Sequence, residues 1–300
     1  MKKVPKKIPF MKFSGAGNDF IVVDNRSRVV GPRRISAFVT NVCARRLSVG
    51  ADGLIFLEKS PKANFRWRFY NNDGGEADFC GNGARCVARF AYLKRIAPKK
   101  MRFEGPAGVV EAMVDGERVT VRVPDPTDLR LNIRLDVPPH RRRGTELTAL
   151  SQPGQLGMAV EGHAIKTGVP HFVYFVHDTS TAEVIGLGRQ IRYHAAFKPA
   201  GTNVDFVEVV DRHTIRIRTY ERGVEDETLA CGSGAIAAAL IAAVIHKVES
   251  PVTVVPLSRS PLAVSFRVDG PRFTDITLTG EARAVFEGYM HSDAWEYTLR

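Results

Sequence analysis

The sequence predicts an α+β fold of two pseudo-symmetric, mostly antiparallel β domains, each wrapped around one central apolar helix. Three observations carry this expectation. Short β-branched or aromatic runs bounded by Gly, Asp or Asn fill most of the chain. Only three stretches carry helical patterning. A set of local patterns also recurs in the second half in the same order as in the first.

Taken in order, strands are expected at Phe20–Asp24, Leu54–Glu58, Phe65–Tyr70, Val109–Val114 and Arg118–Val123. Pro124 to Asp128 then reads as a break, because two prolines and three polar residues do not continue a ladder. Strands resume at Phe172–Val176, Phe206–Val210, Thr214–Tyr220, Val252–Val255, Leu262–Val268 and Phe273–Thr279. Helices are expected at Ile35–Arg46, Gly83–Arg95 and Gly234–His246. Residues Gly144–Ala164, rich in Gly, Pro and Gln, read as loop.

Composition narrows the class. With 44% apolar and 25% charged residues, a chain of 300 residues buries a core without disulfide or metal staples. The longest apolar run, Ala235–Ile245, is shorter than the roughly 20 residues that span a bilayer. No apolar stretch backs the lysine-rich N-terminus as it would in a secretory signal. A reduced, cytoplasmic protein without membrane segments is expected. The net charge of +11 raises the question of nucleic acid. Thirteen basic residues form three clusters, around Lys2–Lys12, Lys94–Arg102 and Arg141–Arg143, in segments that read as termini or loops. No aromatic residues interleave with them as a base-stacking surface requires, so no specific nucleic-acid partner is expected.

The repeat is the most informative feature. Gly17 to Asp24 resembles Thr202 to Asp211. Arg68-Phe-Tyr70 leads through an acidic turn to Cys80-Gly-Asn-Gly-Ala84, and Arg218-Thr-Tyr220 leads through another to Cys231-Gly-Ser-Gly-Ala235. An apolar helix follows each cysteine. Glycines there allow a tight turn and expose backbone N–H groups at a helix start, which favours negative charge. A cysteine so placed has its thiolate stabilised, and the same N–H groups can hold a carboxylate.

A free cysteine is more often a buried structural residue. That reading stands for Cys43 and Cys86, which lack the glycine context. Zinc would want close Cys/His pairs, a redox dithiol Cys-x-x-Cys, and a phosphate loop Gly-x4-Gly-Lys; none is present, and neither a metal nor a cofactor is expected. Two thiols around one carboxylate instead fit a reaction in which one takes a proton from an α-carbon and the other delivers one to the opposite face.

These residues meet a known family. Asn18-Asp-Phe20, Gly50-Ala-Asp-Gly53, Asn71-Asn-Asp-Gly-Gly-Glu76, Cys80 to Arg85, Pro170-His171, Gly201-Thr-Asn203 and Glu221-Arg222 through Cys231-Gly-Ser-Gly234 resemble diaminopimelate epimerase, in order, from about residue 11 to 290. The paired Cys-Gly-x-Gly segments are shared with a wider superfamily that includes proline racemase. The resemblance implies cofactor-independent epimerisation of LL- to meso-diaminopimelate, for lysine and peptidoglycan precursors, by a homodimer. It implies Cys80 and Cys231 as acid/base thiols, and His171 and Glu221 as groups that tune them. Gly81, Asn82, Gly232 and Ser233 would hold the reacting α-carboxylate. Asn18, Asn71, Asn203, Glu221 and Arg222 would read the other amino-acid end of the substrate. A zwitterion needs this mixture of acceptors and donors. Thr279 to Gly288 resembles the family's closing strand, so the expected division is residues 1–125 with 280–300, and residues 126–279.

Val169 stands where the family often has Asn, which touches substrate identity more than chemistry. A two-thiol racemase of proline, hydroxyproline or histidine is the rival enzyme, and a basic non-catalytic binding protein on the same fold is the rival of another class. To act on one α-carbon, two sulfurs must each come within about 3–3.5 Å of it. Mild oxidant should therefore inactivate the free enzyme through a Cys80–Cys231 disulfide, with substrate protecting and reductant restoring activity. Peptide mapping that finds both thiols free in the oxidised, inactive protein would contradict this.

Overall fold

The computed structural model describes residues 5–77, 80–106, 108–138, 158–270 and 272–297. Close contacts divide the chain into two units: residues 1–123 with 260–265 and 275–300, and residues 124–259 with 266–274.

In the first unit, Lys7–Gly15 pairs antiparallel with Asn18–Asp24 and with Arg283–His291. Asn18–Asp24 lies parallel to Gly53–Glu58, and Gly53–Glu58 antiparallel to Phe65–Asn71. Phe65–Asn71 is in turn parallel to Lys100–Gly105. Antiparallel pairs continue through Gly108–Asp115 and Arg118–Arg122 to the end of Arg272–Glu281. Parallel neighbours need a crossover rather than a hairpin. Helix α1, Ile35–Cys43, supplies the first, and helix α2, Gly81–Leu93, the second.

The second unit repeats this plan. Met158–Thr167 pairs antiparallel with Thr127–Val137 and with Val169–Phe175. Val169–Phe175 runs parallel to Asn203–Asp211 across helix α3, Val184–Arg192. Asn203–Asp211 is antiparallel to Thr214–Glu221, which is parallel to Val252–Val255 across helix α4, Gly232–His246. Both α2 and α4 are buried along most of their length. Helix α4 is apolar on every side from Ala235 to Val244, and such a helix is stable only when surrounded. It packs on the strands of its own unit. Helices α1 and α3 cover the other faces, with Phe38, Val39 and Val42 packed on Phe56 and Tyr70, and Leu187 and Ile191 packed on Phe206 and Tyr220.

Several expectations are corrected. Strands Lys7–Gly15, Lys100–Gly105 and Thr127–Val137 and helix α3 are present where none was expected, while the closing strand implied by the resemblance runs over Arg283–His291. The break after Pro124 is shorter than its composition suggests, since Thr127 already opens a strand. Residues 158–164 are strand rather than loop, and the rest of the Gly144–Ala164 segment lies outside the described residues. Lys7, Lys12, Lys100 and Arg102 lie in strands, not loops; Lys12 is buried and ion-paired with Asp19. Arg141–Arg143 lie outside the described residues.

The repeat is also differently registered than its wording suggests. Tyr70 pairs with Leu54, and Tyr220 with Val204. Leu54 pairs in turn with Ile21, and Val204 with Phe172. Asn203–Asp211 is thus the counterpart of Gly53–Glu58, and Asn18–Asp24 the counterpart of Val169–Phe175. The shared Asn and Asp-Phe of the two segments is a coincidence of composition. The tyrosines and the Cys-Gly-x-Gly segments are true counterparts.

Candidate active site

Each unit places one cysteine at the N-cap of its central helix, in extended backbone: Cys80 ahead of α2 and Cys231 ahead of α4. The first four N–H groups of a helix have no partner inside it. At α2 the Gly83 N–H donates to Cys80 Sγ at 3.4 Å, so the sulfur takes one of these. Both second glycines leave room for a neighbouring side chain. A Cβ on Gly83 would meet Ile55 Cδ1 at 3.3 Å, and one on Gly234 would lie 2.5 Å from Asp205 Oδ1.

Around α2 the polar groups form a directed chain. Arg85, wholly buried, donates to Asn82 Oδ1 at 2.8 Å and to the Gly81 carbonyl at 3.3 Å. That fixes the Asn82 amide with its nitrogen toward Asn18 Oδ1, 2.6 Å away. Asn18 donates onward to Asp52 at 3.3 Å. Asp52 also accepts from the Asp19 N–H and from Arg45, and Arg45 and Lys12 both pair with Asp19. Burial pulls the Arg85 guanidinium below its usual range, with the Cys86 and Cys80 thiols acting against that. Asn71 is exposed; its N–H bonds the Gly75 carbonyl and its carbonyl accepts from Gly74.

Around α4 the groups are of another kind. His171 Nδ1 lies 2.7 Å from Asp205 Oδ2, and Nε2 lies 2.9 Å from Ser233 Oγ. Ser233 Oγ is 3.4 Å from Cys231 Sγ. Thr219 donates to the other Asp205 oxygen at 2.7 Å. Asn203 accepts from the Arg222 N–H at 2.7 Å and donates to the Pro170 carbonyl at 3.2 Å. Cys231 is 8% exposed, and burial, followed by the charges of Glu221 and Asp205, pushes its thiol well above the usual range. The Ser233 hydroxyl and the Gly234 N–H act against that rise.

The structure thus brings Asn18 together with Asn82, and His171 with Asn203 and, through Ser233, with Cys231, while Glu221 ends the neighbouring strand and Arg222 follows it. Asn71 and Glu221 occupy corresponding places, each following its paired tyrosine. Asp205, Thr219, Arg85 and the Asp19–Asp52–Arg45–Lys12 group were not anticipated. Asp205 sits inside an apolar alternation, where only its charge marks it. The sequence signal for Arg85 is its spacing, with Asn82 three residues before it and Arg89 four after it on one face of α2. Cys43 and Cys86 are buried, and burial pushes both thiols up to about 12, in keeping with structural roles.

Asp19 gives a pH-dependent prediction. Burial would raise its pKa, but hydrogen bonds from Arg45, Lys12 and the Asp52 N–H outweigh it and hold the carboxyl below 3.8. A depressed folded-state pKa stabilises above the unfolded value and is lost as pH falls through the folded one. Asp19→Asn should therefore lower the melting temperature at pH 7, with the difference from the native protein shrinking as pH falls below 3.8 toward the folded-state pKa, by calorimetry. A loss that stays equal across that range would contradict the ion-pair account.

The sequence profile of diaminopimelate epimerase matches residues 10–127 and 163–285. The chain is 42% identical to the diaminopimelate epimerase of Aquifex aeolicus, over 96% of this chain and 99% of that one. It is 36% identical to that of Archaeoglobus fulgidus, over 98% of this chain and all of that one. Among solved structures it resembles a Bacillus anthracis phenazine biosynthesis protein of the PhzF family, with TM-score 0.68, 15% identity and coverage of 95% and 99%. It also resembles a probable proline racemase from Agrobacterium radiobacter, with TM-score 0.67, 15% identity and coverage of 97% and 96%. Those two likenesses concern the fold. With its paired half-sites and this full-length match, the chain belongs to the diaminopimelate epimerase family.

Proposed function

We propose that this protein interconverts LL- and meso-diaminopimelate without a cofactor, with Cys80 and Cys231 as its acid and base. The observation that carries this reading is the recurrence, in both units of a family member, of a cysteine at the N-cap of a buried Gly-x-Gly helix. One thiolate takes the α-proton, breaking C–H and forming S–H. The other thiol gives its proton to the opposite face, forming the new C–H and leaving a thiolate. The negative charge that develops on the α-carboxylate is met by N–H groups at Gly81-Asn82 and Gly232-Ser233 and by the helix starts behind them. Asn18, Asn71, Asn203, Glu221 and Arg222 read the distal ammonium and carboxylate, and His171 and Glu221 tune the thiols.

The protein works in the cytoplasm, where its four free cysteines stay reduced. Among the described residues no helix is long and apolar enough to cross a membrane. It acts as a homodimer, and strand Arg283–His291 supports this reading. Val285 is 57%, Phe286 49% and Tyr289 68% exposed there, a concentration of apolar surface that a second copy would cover.

Proton NMR of each isomer with the enzyme in heavy water is the test. Solvent deuterium should appear at the α-carbon of the newly formed isomer, and Cys80→Ala or Cys231→Ala should abolish inversion. Inversion with full retention of the original hydrogen, or faster turnover of proline, would overturn the reading. For the dimer, sedimentation should give two copies for the native chain and one for Tyr289→Glu; an unchanged dimer would place the interface elsewhere.

A further inference from the structure

The two half-sites share a backbone plan but not an interior. By register, His171 is the counterpart of Phe20 and Asp205 the counterpart of Ile55. The glycines agree, since a Cβ at Gly83 would meet Ile55 where one at Gly234 would meet Asp205. Ser233 is the counterpart of Asn82, two residues after each cysteine. The second unit therefore replaces two apolar residues with a buried imidazole and a buried carboxylate, both with no exposed surface. Burying such groups is costly unless they are bonded to each other, and these are.

The hydrogen bonds of Asn203 settle the direction of the His171 ring. Asn203 Oδ1 accepts from the Arg222 N–H, so the atom 3.4 Å from His171 Nε2 is the amide nitrogen, which carries hydrogens. Nε2 facing an N–H donor must be a lone pair. The ring proton is then on Nδ1, donated to Asp205 Oδ2. Ser233 accordingly donates its hydroxyl hydrogen to Nε2 and offers a lone pair to the Cys231 S–H. All four groups point one way.

We infer that Ser233, His171 and Asp205 form a proton relay for Cys231, with Ser233 as the bridge and Asp205 as the positioning residue, and that Cys80 has no counterpart of His171 or Asp205 at the matching positions. This rests on the epimerase reading above. In the step, the Cys231 S–H breaks as a new Oγ–H forms on Ser233, while the original serine hydrogen passes to Nε2. The result is a thiolate, a neutral serine and an imidazolium paired with the Asp205 carboxylate; the reverse step restores the thiol. The charged groups that bear on Cys231 are Glu221 and Asp205, on the two strands beside it, and both oppose its ionisation. A thiol in such a field needs somewhere for its proton to go, and the relay provides it. Asp205 thus acts twice, against the bare thiolate directly and for it by stabilising the imidazolium.

Nitrogen NMR of histidine-labelled native enzyme, with the His171 signal assigned by its loss in His171→Gln, tests the geometry without altering the relay. A neutral ring protonated on Nδ1 is expected; protonation on Nε2 would overturn the inference. The variants test its use. Ser233→Ala should lower kcat by about tenfold or more, and Ser233→Thr, which keeps a hydroxyl, should recover most of it. Asp205→Asn should lower kcat by a similar factor with KM little changed. In a Cys80→Ala background it should also move the alkylation of Cys231 by iodoacetamide to higher pH. Native-like kcat and an unmoved alkylation profile in Asp205→Asn would overturn the relay while leaving the epimerase reading intact. A native enzyme that neither inverts diaminopimelate nor exchanges its α-hydrogen would overturn that reading instead.

Discussion

The start of a buried helix leaves N–H groups that water cannot reach and the helix itself cannot satisfy. Nearly everything of interest in this molecule follows from having two such starts, at Gly81 and Gly232. Helix α4 is enclosed by strands because its sequence leaves no polar face to turn outward, and α2 is buried along most of its length with Arg85 bonded inside; in both, the first turn lies inside the protein rather than at its surface. A group that accepts hydrogen bonds and tolerates negative charge belongs there. Cysteine is small enough to cap in extended backbone and carries a sulfur that becomes an anion. The glycines follow from the same demand, because side chains at Gly83 or Gly234 would strike Ile55 or Asp205.

What the sequence made legible follows from how local each signal is. Tyr70 to Cys80 and Tyr220 to Cys231 were found because strand, turn, cap and helix lie within a dozen residues of one another. The strands that form the rim are hard to read because their burial is uneven. Strand Thr127–Val137 is exposed over its first half and shows no clean alternation, whereas Arg283–His291, exposed over nearly all its length, is legible only through the resemblance of Thr279 to Gly288 to the family's closing strand. Helix α3 was missed because Gly186 and Gly188 dilute its pattern, and Gly188 is required where Tyr220 packs against it, 2.6 Å from where a Cβ would lie. The error over Asn18 and Asn203 is of another kind. Like residues suggested an equivalence that only strand pairing could refuse, since a counterpart in a repeat is defined by its neighbours across the sheet.

Site residues divide in the same way. Cys80, Cys231, Asn82 and Ser233 stand in motifs whose chemistry can be argued from spacing. Asp205 cannot be found that way, and Arg85 only by its helical spacing, because what makes them unusual is burial, and burial is a property of the fold. Asp205 is tolerable only because His171 and Thr219 both donate to it. Arg85 is tolerable because Asn82 and the Gly81 carbonyl take its hydrogen bonds. Arg85 thus holds Gly81 and Asn82 beside Cys80 directly, and Asp205 reaches Ser233 beside Cys231 through His171: a cation stands behind the first helix start and a carboxylate behind the second.

A repeat whose halves differ in this way suits a reaction whose two ends differ. Inversion at a single α-carbon asks for the same chemical act on both faces, removal or delivery of a proton; if sulfur performs it, as proposed above, a duplicated thiol at a duplicated helix start is an economical scaffold. The two stereoisomers are nevertheless different molecules with unequal demands. LL-diaminopimelate has two centres of one hand and the meso form one of each, so the distal end of the substrate breaks any symmetry the reacting end has. Identical half-sites would serve one isomer better than the other. Divergence confined to the interior, with Phe20 and Ile55 in one half and His171 and Asp205 in the other, lets each thiol be set separately while the backbone that presents it is kept.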